Sequence, residues 1–173
     1  MNFIVAATTD IGLTKSTNQD SYNVRVFSTN QGKIVLAILC DGMGGLSKGE
    51  VASASLVNAF CKWADSKLPA LCESRITDEA IRADWVEIAT EYNEKIKTYA
   101  ASCGTNMGTT ITVLMLTSSR YYIMNVGDTR AYEICDTVTV LTKDQTVVAR
   151  EVELGHLTPE EAEKDSRRSV LLQ

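Results

Sequence analysis

An apolar stretch that ends in an acidic residue and a glycine cluster restricts the fold of this chain more than any other feature. Ile34 to Leu39 are all apolar and precede Cys40, Asp41 and the segment Gly42 to Gly45, in which three of four residues are glycine. Such a run predicts a buried strand. The glycines allow a sharp turn and a close approach to the backbone. Because carboxylates and carbonyl groups suit hard cations, the end of this strand is the first candidate for a functional site.

Along the chain, the spacing of apolar residues changes from that of strands to that of helices. Alternating residues at Tyr22 to Ser28 predict a strand, and Asn30 to Lys33 predict a turn that joins it to the next strand in an antiparallel hairpin. A helical period then predicts two long helices, the first stopped by Pro69 and the second capped by Thr77. The predicted elements are strands at Phe3 to Thr9, Tyr22 to Ser28 and Lys33 to Cys40, and helices at Glu50 to Leu68 and Thr77 to Tyr99.

After Gly104 the chain returns to β-type patterns and ends with two short helical segments. A capping box at Thr158 to Glu161, with Pro159 at the first helical position, opens the last helix. The order of strands, then helices, then strands predicts an α+β fold with helices packed on antiparallel sheets. The predicted elements are strands at Thr109 to Leu116, Tyr121 to Val126, Ala131 to Cys135 and Val138 to Leu141, and a helix at Thr146 to Leu154.

The composition predicts one soluble domain and argues against binding to nucleic acid or membrane. With 173 residues, of which 45% are hydrophobic, we expect one domain over residues 1–173 with its own core. The net charge is −5 without a Lys/Arg cluster, so we expect no nucleic-acid partner. The chain contains no membrane-spanning or signal-peptide pattern. The chain has five cysteines, an odd number, and no C-x-x-C pair. This argues against a disulfide framework or a thiolate zinc site and favours a reducing, cytoplasmic location.

Four aspartates are predicted at the ends of elements, namely Asp20, Asp41, Asp128 and Asp144. If these carboxylates converge they repel one another unless cations lie between them, so we expect Mg²⁺ or Mn²⁺ there. The alternative is that each aspartate forms a turn or a helix cap, the role most typical of Asp144. His156 is the only histidine, which excludes a histidine-rich zinc site, and no P-loop motif is present.

Several short motifs occur together in a recognisable order, and with them the chain resembles the bacterial branch of the metal-dependent protein phosphatases, the type 2C serine/threonine phosphatases. The ordered set is more specific than any single piece, and it spans almost the whole chain. The motifs are Gly12 to Ser21, Cys40 to Gly45 with Gly49 to Ser53, Met107 to Thr110, Val126 to Tyr132, Leu141 to Gln145 and Arg167 to Leu171.

The resemblance implies a fold, a reaction and a set of cofactors. The family fold is a four-layer α-β-β-α sandwich around two central antiparallel sheets. The implied reaction is hydrolysis of phosphoserine or phosphothreonine in proteins, with two or more Mn²⁺ or Mg²⁺ ions in the complete domain. The ions hold a bridging water, lower its pKa and neutralise the phosphoryl oxygens, and no phosphoenzyme forms. Phosphorylated proteins are the implied substrates, in signalling, and a serine/threonine kinase is an implied partner.

The resemblance also assigns roles to individual residues. Asp41 would bridge both metal ions, and the carbonyl of Gly42 would be a further metal ligand. Asp20 would hold the water molecules on these metals, and Asp128 would support the site and bind an additional metal. Lys15 stands where relatives often carry the arginine that grips the substrate phosphate, and lysine keeps the charge but loses the planar fork. Gln19 stands where relatives often carry glutamate.

The resemblance finally implies an incomplete domain. Relatives continue for about another third of a domain, within the usual range of domain sizes, and that part carries two further aspartate motifs that complete one metal site. The chain is then either a fragment or a naturally shortened relative, with sheet edges open to self-association. The alternative to an enzyme is a degenerate phosphatase-like module that binds phosphoproteins or a kinase partner.

Overall fold

Strands and helices follow one another along the chain in the order predicted for an α+β fold. The computed structural model describes residues 2–13, 15–43, 48–74 and 76–172, which divide into two compact units at residues 1–124 and 125–173. The elements are β1 (Ser21–Thr29), β2 (Gly32–Cys40), β3 (Gly42–Met43), α1 (Gly49–Ser66), α2 (Leu68–Ser74), α3 (Asp78–Ser102), β4 (Gly108–Thr109), β5 (Ile111–Leu116), β6 (Tyr121–Val126), β7 (Tyr132–Ile134), β8 (Val138–Val140), α4 (Val147–Glu153) and α5 (Pro159–Lys164).

A four-stranded antiparallel sheet forms the main β structure, in the order β1-β2-β5-β6. The predicted hairpin is confirmed, because β1 pairs with β2 from Ser21 opposite Cys40 to Thr29 opposite Gly32. β2 is central and β1 and β6 are the edges. These antiparallel sheets with helices confirm the α+β class. The four-layer arrangement and the single phosphatase-like domain over residues 1–173 stay predictions.

The core of the first unit lies between the sheet and its two long helices. Ile38 on β2 and Phe60 on α1 are fully buried. Trp85 on α3 contacts both Phe60 and Trp63 edge-on, with ring centroids 6.1 and 5.7 Å apart, an arrangement that favours aromatic pairs. Trp63 also donates a hydrogen bond from Nε1 to Asp84 Oδ2 at 2.8 Å. Trp85 therefore lies in the core and joins α3 to α1.

The predicted strand at Phe3 to Thr9 is wrong. These residues have no regular secondary structure, and the side chains of Ile4 and Val5 are exposed. Isolated strands are not stable, because their backbone groups need a partner ladder. The composition of a segment can indicate that it is able to pair, but it cannot supply the partner.

The predicted stop at Pro69 is also wrong in detail. α1 ends at Ser66, before the proline, and Leu68–Ser74 then form the separate helix α2 with Pro69 as its second residue. Proline is tolerated in the first turn of a helix, where the backbone N–H groups have no intrahelical acceptor. The same residue that prevents α1 from continuing thus helps to start α2.

The second unit contains a short hairpin and two short helices. β7 and β8 pair from Tyr132 opposite Val140 to Ile134 opposite Val138. The capping box predicted at Thr158 is confirmed, since Thr158 and Glu161 hydrogen-bond each other's backbone at the start of α5. None of the helices that the structure describes combines the length and apolar character needed to cross a bilayer.

Two glycines pack backbone against backbone at the end of the hairpin. A Cβ atom on Gly42 would lie 2.5 Å from the carbonyl oxygen of Gly49 and would also collide with the carbonyl oxygen of Gln19. A Cβ atom on Gly49 would lie 2.9 Å from the carbonyl carbon of Gly42 and 3.0 Å from Cδ of Gln19. Side chains at either position would force these segments apart. The absence of side chains therefore holds the start of α1 against the residues that follow β2.

We predict that Gly42→Ala is far more disruptive than Gly108→Ala, although both residues belong to the same short strand pair. The Gly42 variant should lose about 1–3 kcal/mol in free energy of unfolding, because overpacking forces backbone shifts. A Cβ atom on Gly108 would meet only the flexible end of Met43, at 3.4 Å. Urea unfolding followed by circular dichroism measures both variants, and equal stability of the two would contradict the packing described.

Candidate functional site

Asp20 and Asp41 lie opposite each other at one end of the β1–β2 hairpin. The last pair of the ladder is Ser21 and Cys40, so each aspartate is one residue beyond it on adjacent strands. Both residues are exposed, and directly opposed positions in an antiparallel pair bring side chains to within about 5 Å at Cβ. Two of the predicted acidic residues are therefore neighbours because of the strand register.

The backbone of Asp41 is fixed from the neighbouring strand. Its N–H donates to Thr110 Oγ1 at 2.9 Å, and its carbonyl oxygen accepts from Thr110 N at 2.9 Å and from Thr109 Oγ1 at 3.1 Å. Thr110 is fully buried. These bonds use the main-chain groups of Asp41, so they fix the backbone from which its carboxylate projects.

The cysteine beside Asp41 does not supply a thiolate to this site. Burial raises the pKa of Cys40 to about 12, and a hydrogen bond from Thr109 opposes this shift only partly. The thiol is therefore protonated at neutral pH and acts as a small apolar residue. Oxygen atoms remain as the donors at this end of the hairpin.

Ser53 is a positioning residue to which the sequence reading assigned no role. It is completely buried on α1, donates from Oγ to the carbonyl oxygen of Gln19 at 2.6 Å and lies 2.9 Å from Ser21 Oγ. It therefore ties the helix to the residues on both sides of Asp20. The available signal was the run of small residues at Gly49, Ala52 and Ser53, which fall on one helix face and allow a close approach.

Gly42 continues directly from Asp41 into the short strand pair β3–β4. It is buried and pairs with Thr109, while Met43 pairs with Gly108. The backbone that would offer the predicted Gly42 carbonyl ligand is thus held by regular pairing. Gly44 and Gly45, which complete the predicted cation-binding turn, lie outside the described residues.

Lys15 is exposed and lies in the N-terminal segment without regular structure. Within the described part of the chain, its ammonium group has no hydrogen-bond or ion-pair partner. In the same segment Asn18 accepts a hydrogen bond at Oδ1 from the N–H of Asp20, at 3.0 Å. The structure does not tie Lys15 to the aspartate pair, so its predicted contact with phosphate stays a prediction.

Asp128 belongs to the second unit, on a loop that is fixed by Gln145. Gly127 adopts φ 120°, a conformation that favours glycine. Its N–H donates to Gln145 Oε1 at 3.2 Å, and its carbonyl oxygen accepts from Gln145 N at 3.0 Å. Gln145 Nε2 also donates to the carbonyl oxygen of Asn125 at 3.2 Å. One amide side chain therefore holds the turn that presents Asp128.

Asp144 forms an ion pair with a residue of its own unit. Its two carboxylate oxygens accept from Arg130 Nε at 2.8 Å and Nη2 at 2.6 Å, and this contact raises the pKa of Arg130. Bidentate pairs of this kind are geometrically specific. The helix cap considered for Asp144 is wrong, because Thr146 accepts the hydrogen bond from Ala149 N at the start of α4.

The described residues do not gather three or more His, Cys, Asp or Glu side chains into a ready-made metal cage. What the first unit does bring together is the pair Asp20 and Asp41, with Gly42 next in the chain. Two carboxylates and a carbonyl group fit the oxygen preference of Mg²⁺ and Mn²⁺, which also retain water ligands. The convergence of all four predicted aspartates stays a prediction.

Sequence comparison relates the chain to known phosphatases. A sequence model described as protein phosphatase 2C matches residues 13–172. The serine/threonine protein phosphatase PstP of Mycobacterium tuberculosis is 34% identical over 168 residues, which cover 96% of this chain and 30% of that protein. This chain therefore spans less than a third of the length of that relative.

Solved structures give the same relationship. The crystal structure of M. tuberculosis PstP/Ppp matches with a TM-score of 0.75 and 32% identity, over 97% of this chain and 66% of that one. The catalytic domain of PstP in complex with two manganese ions matches with a TM-score of 0.67 and 32% identity, over 91% of this chain and 62% of that one. The sequence motifs, the fold and these matches together establish that the chain belongs to the protein phosphatase 2C family.

Proposed function

We propose that this chain provides the metal-binding part of a protein serine/threonine phosphatase that hydrolyses phosphoserine and phosphothreonine with Mn²⁺ or Mg²⁺. The observation that carries the proposal is the β1–β2 register, which sets Asp20 opposite Asp41 just beyond Ser21 and Cys40. Relatives matched along almost the whole chain are named as phosphatases, which supports the reaction class.

In this proposal Asp41, the carbonyl of Gly42 and Asp20 hold the divalent ions. The two manganese ions in the PstP catalytic domain support Mn²⁺ as the cofactor. When bound, such ions lower the pKa of a water molecule and neutralise charge on the phosphoryl oxygens. The chain's own contribution is to orient the oxygen donors, since Thr110 fixes the backbone of Asp41 and Ser53 fixes the segment around Asp20.

Asp128 and Lys15 each have a further proposed role. Asp128 would bind an additional metal ion, and the hydrogen bonds between Gly127 and Gln145 support a fixed position for its turn. Lys15 would contact the substrate phosphate, and its exposed ammonium group, without a partner among the described residues, supports this role. Lysine offers phosphate a point charge, whereas arginine offers a planar pair of donors.

We propose phosphorylated proteins as the substrates and the cytoplasm as the location, which the five free cysteines support. A serine/threonine kinase partner is part of the proposal only through the family's role in signalling. Self-association would use the edge strands β1 and β6 of the four-stranded sheet. Light scattering tests self-association directly, and a monomer at working concentration would remove it from the proposal.

We predict that Asp41→Asn lowers hydrolysis of a phosphothreonine peptide by at least about 100-fold in the presence of Mn²⁺, because metal ions supply several kcal/mol of transition-state stabilisation. Asp136→Asn is the matched control, since Asp136 is an exposed aspartate in the β7–β8 turn. Release of inorganic phosphate measures both variants. Calorimetric titration with Mn²⁺ should show weaker binding to the Asp41 variant alone.

Measurable turnover that is equal in the wild type and the Asp41 variant would contradict the proposed site. Phosphopeptide binding by the wild-type chain, without turnover and without any need for Mn²⁺, would instead favour the binding-module alternative. The two measurements are independent, so a chain that binds Mn²⁺ at Asp41 but lacks activity would retain the metal site and lose only the reaction.

Lys15 provides a second prediction, on substrate affinity. Lys15→Met should lower kcat/KM by about 10-fold and Lys15→Arg should raise it, because arginine can form a bidentate contact with phosphate. Lys62→Met, at an exposed position on α1, is the control for loss of one positive charge. Steady-state kinetics on the same peptide decides the matter, and an unchanged kcat/KM in Lys15→Met would remove Lys15 from the site.

A further inference from the structure

A cluster of four side chains at the end of α3 and the start of α1 lies outside the residues assigned to the proposed phosphatase site. It consists of Lys48, Tyr99, Ser102 and Cys103. We propose that Cys103 is a modification site, a lysine-activated thiol that hydroperoxides oxidise to sulfenic acid in preference to the other cysteines of the chain. This inference concerns thiol chemistry, and it does not depend on the phosphatase reaction.

The geometry places a cation directly on the sulfur. Lys48 Nζ donates to Cys103 Sγ at 3.2 Å, and the same ammonium group lies 5.2 Å from the centroid of the Tyr99 ring. Ser102 Oγ is 3.9 Å from the sulfur. Cys103 is only half-buried, so a small oxidant can reach it. A partly exposed thiol beside a lysine is the environment in which reactive cysteines occur.

The charges around the sulfur favour the thiolate. The hydrogen bond from Lys48 lowers the pKa of Cys103, assisted by Ser102 and Tyr99 and opposed by partial desolvation. Contact with Cys103 and Tyr99 in turn raises the pKa of Lys48, so the ammonium form is retained. Cys103 also caps the C-terminus of α3, where the helix dipole disfavours an anion. The ammonium group in direct contact with sulfur outweighs this diffuse partial charge.

The other cysteines lack this combination of access and cation. Cys40, Cys61 and Cys72 are buried, and burial raises the pKa of each. Cys135 is exposed in the β7–β8 turn, but no side chain among the described residues hydrogen-bonds its sulfur. Cys135 is therefore an internal reference for an accessible thiol without a cation.

The proposed reaction is a two-electron oxidation with hydrogen peroxide as the oxidant. The Cys103 thiolate attacks one peroxide oxygen, so an S–O bond forms as the O–O bond breaks, and the leaving hydroxide takes a proton to become water. Sulfur is oxidised to the sulfenic acid and the peroxide is reduced. Lys48 then loses its anionic partner. Lys48 is also the N-cap of α1, at φ 78°, and its carbonyl oxygen accepts from Val51 N at 3.1 Å.

The test is peptide-mapped labelling of the full chain by mass spectrometry. At pH 7 iodoacetamide should alkylate Cys103 at least about threefold faster than Cys135, because thiolate rather than thiol reacts. After treatment with hydrogen peroxide, dimedone should label Cys103 first. Lys48→Met should bring the rate at Cys103 down to that of Cys135, whereas Lys48→Arg, which retains the cation, should keep most of the difference.

Two results would overturn the proposal. One is equal alkylation of Cys103 and Cys135 in the wild-type chain, which needs no variant and so does not depend on whether Lys48→Met folds. The other is an unchanged Cys103 rate in a folded Lys48→Met chain, verified by circular dichroism. Loss of the difference when the wild-type chain is unfolded in urea would support the assignment, since it would trace the reactivity to the folded cluster.

Discussion

The pairing of β1 with β2 is the interaction on which the other features of the first unit depend. Its register sets Asp20 opposite Asp41, and a shift by one residue would turn every side chain of one strand to the other face of the sheet. The buried side of β2 prevents such a shift, because Ile34, Leu36 and Ile38 are almost completely inaccessible to solvent. The buried apolar side chains of β2 thus fix the positions of the two aspartates at the end of the hairpin.

Hydrogen bonds from α1 and from the neighbouring strand then fix the backbone around the two aspartates. Ser53 reaches from α1 to the carbonyl oxygen of Gln19, and Thr110 holds the main chain of Asp41 from β5's side of the sheet. α1 is in turn secured by the contacts of Phe60 and Trp63 with Trp85. The core and the proposed site are therefore connected through one helix, whose apolar face packs inward while its first turn adjoins the aspartates.

Much of this could be predicted from the sequence, where the signals are local. The hairpin, the cap at Thr77 and the capping box at Thr158 depend on periodicity or on hydrogen bonds between near neighbours, and all three are present. The failures involve distant partners. Phe3 to Thr9 have a strand-like composition but pair with no strand in the described part of the chain, and Asp144 contacts Arg130, 14 residues away. The role of Ser53 likewise requires knowing that residue 19 passes beside the helix.

The backbone contact between Gly42 and Gly49 has a consequence for how this loop can vary. Because each residue occupies the space that a Cβ atom of the other segment would need, the two positions cannot acquire side chains independently. Libraries that randomise one position at a time should recover glycine at both. Residues other than glycine could be accepted only if both positions change together and the first turn of α1 moves. Protein engineering here therefore has to treat the helix start and the loop as one unit.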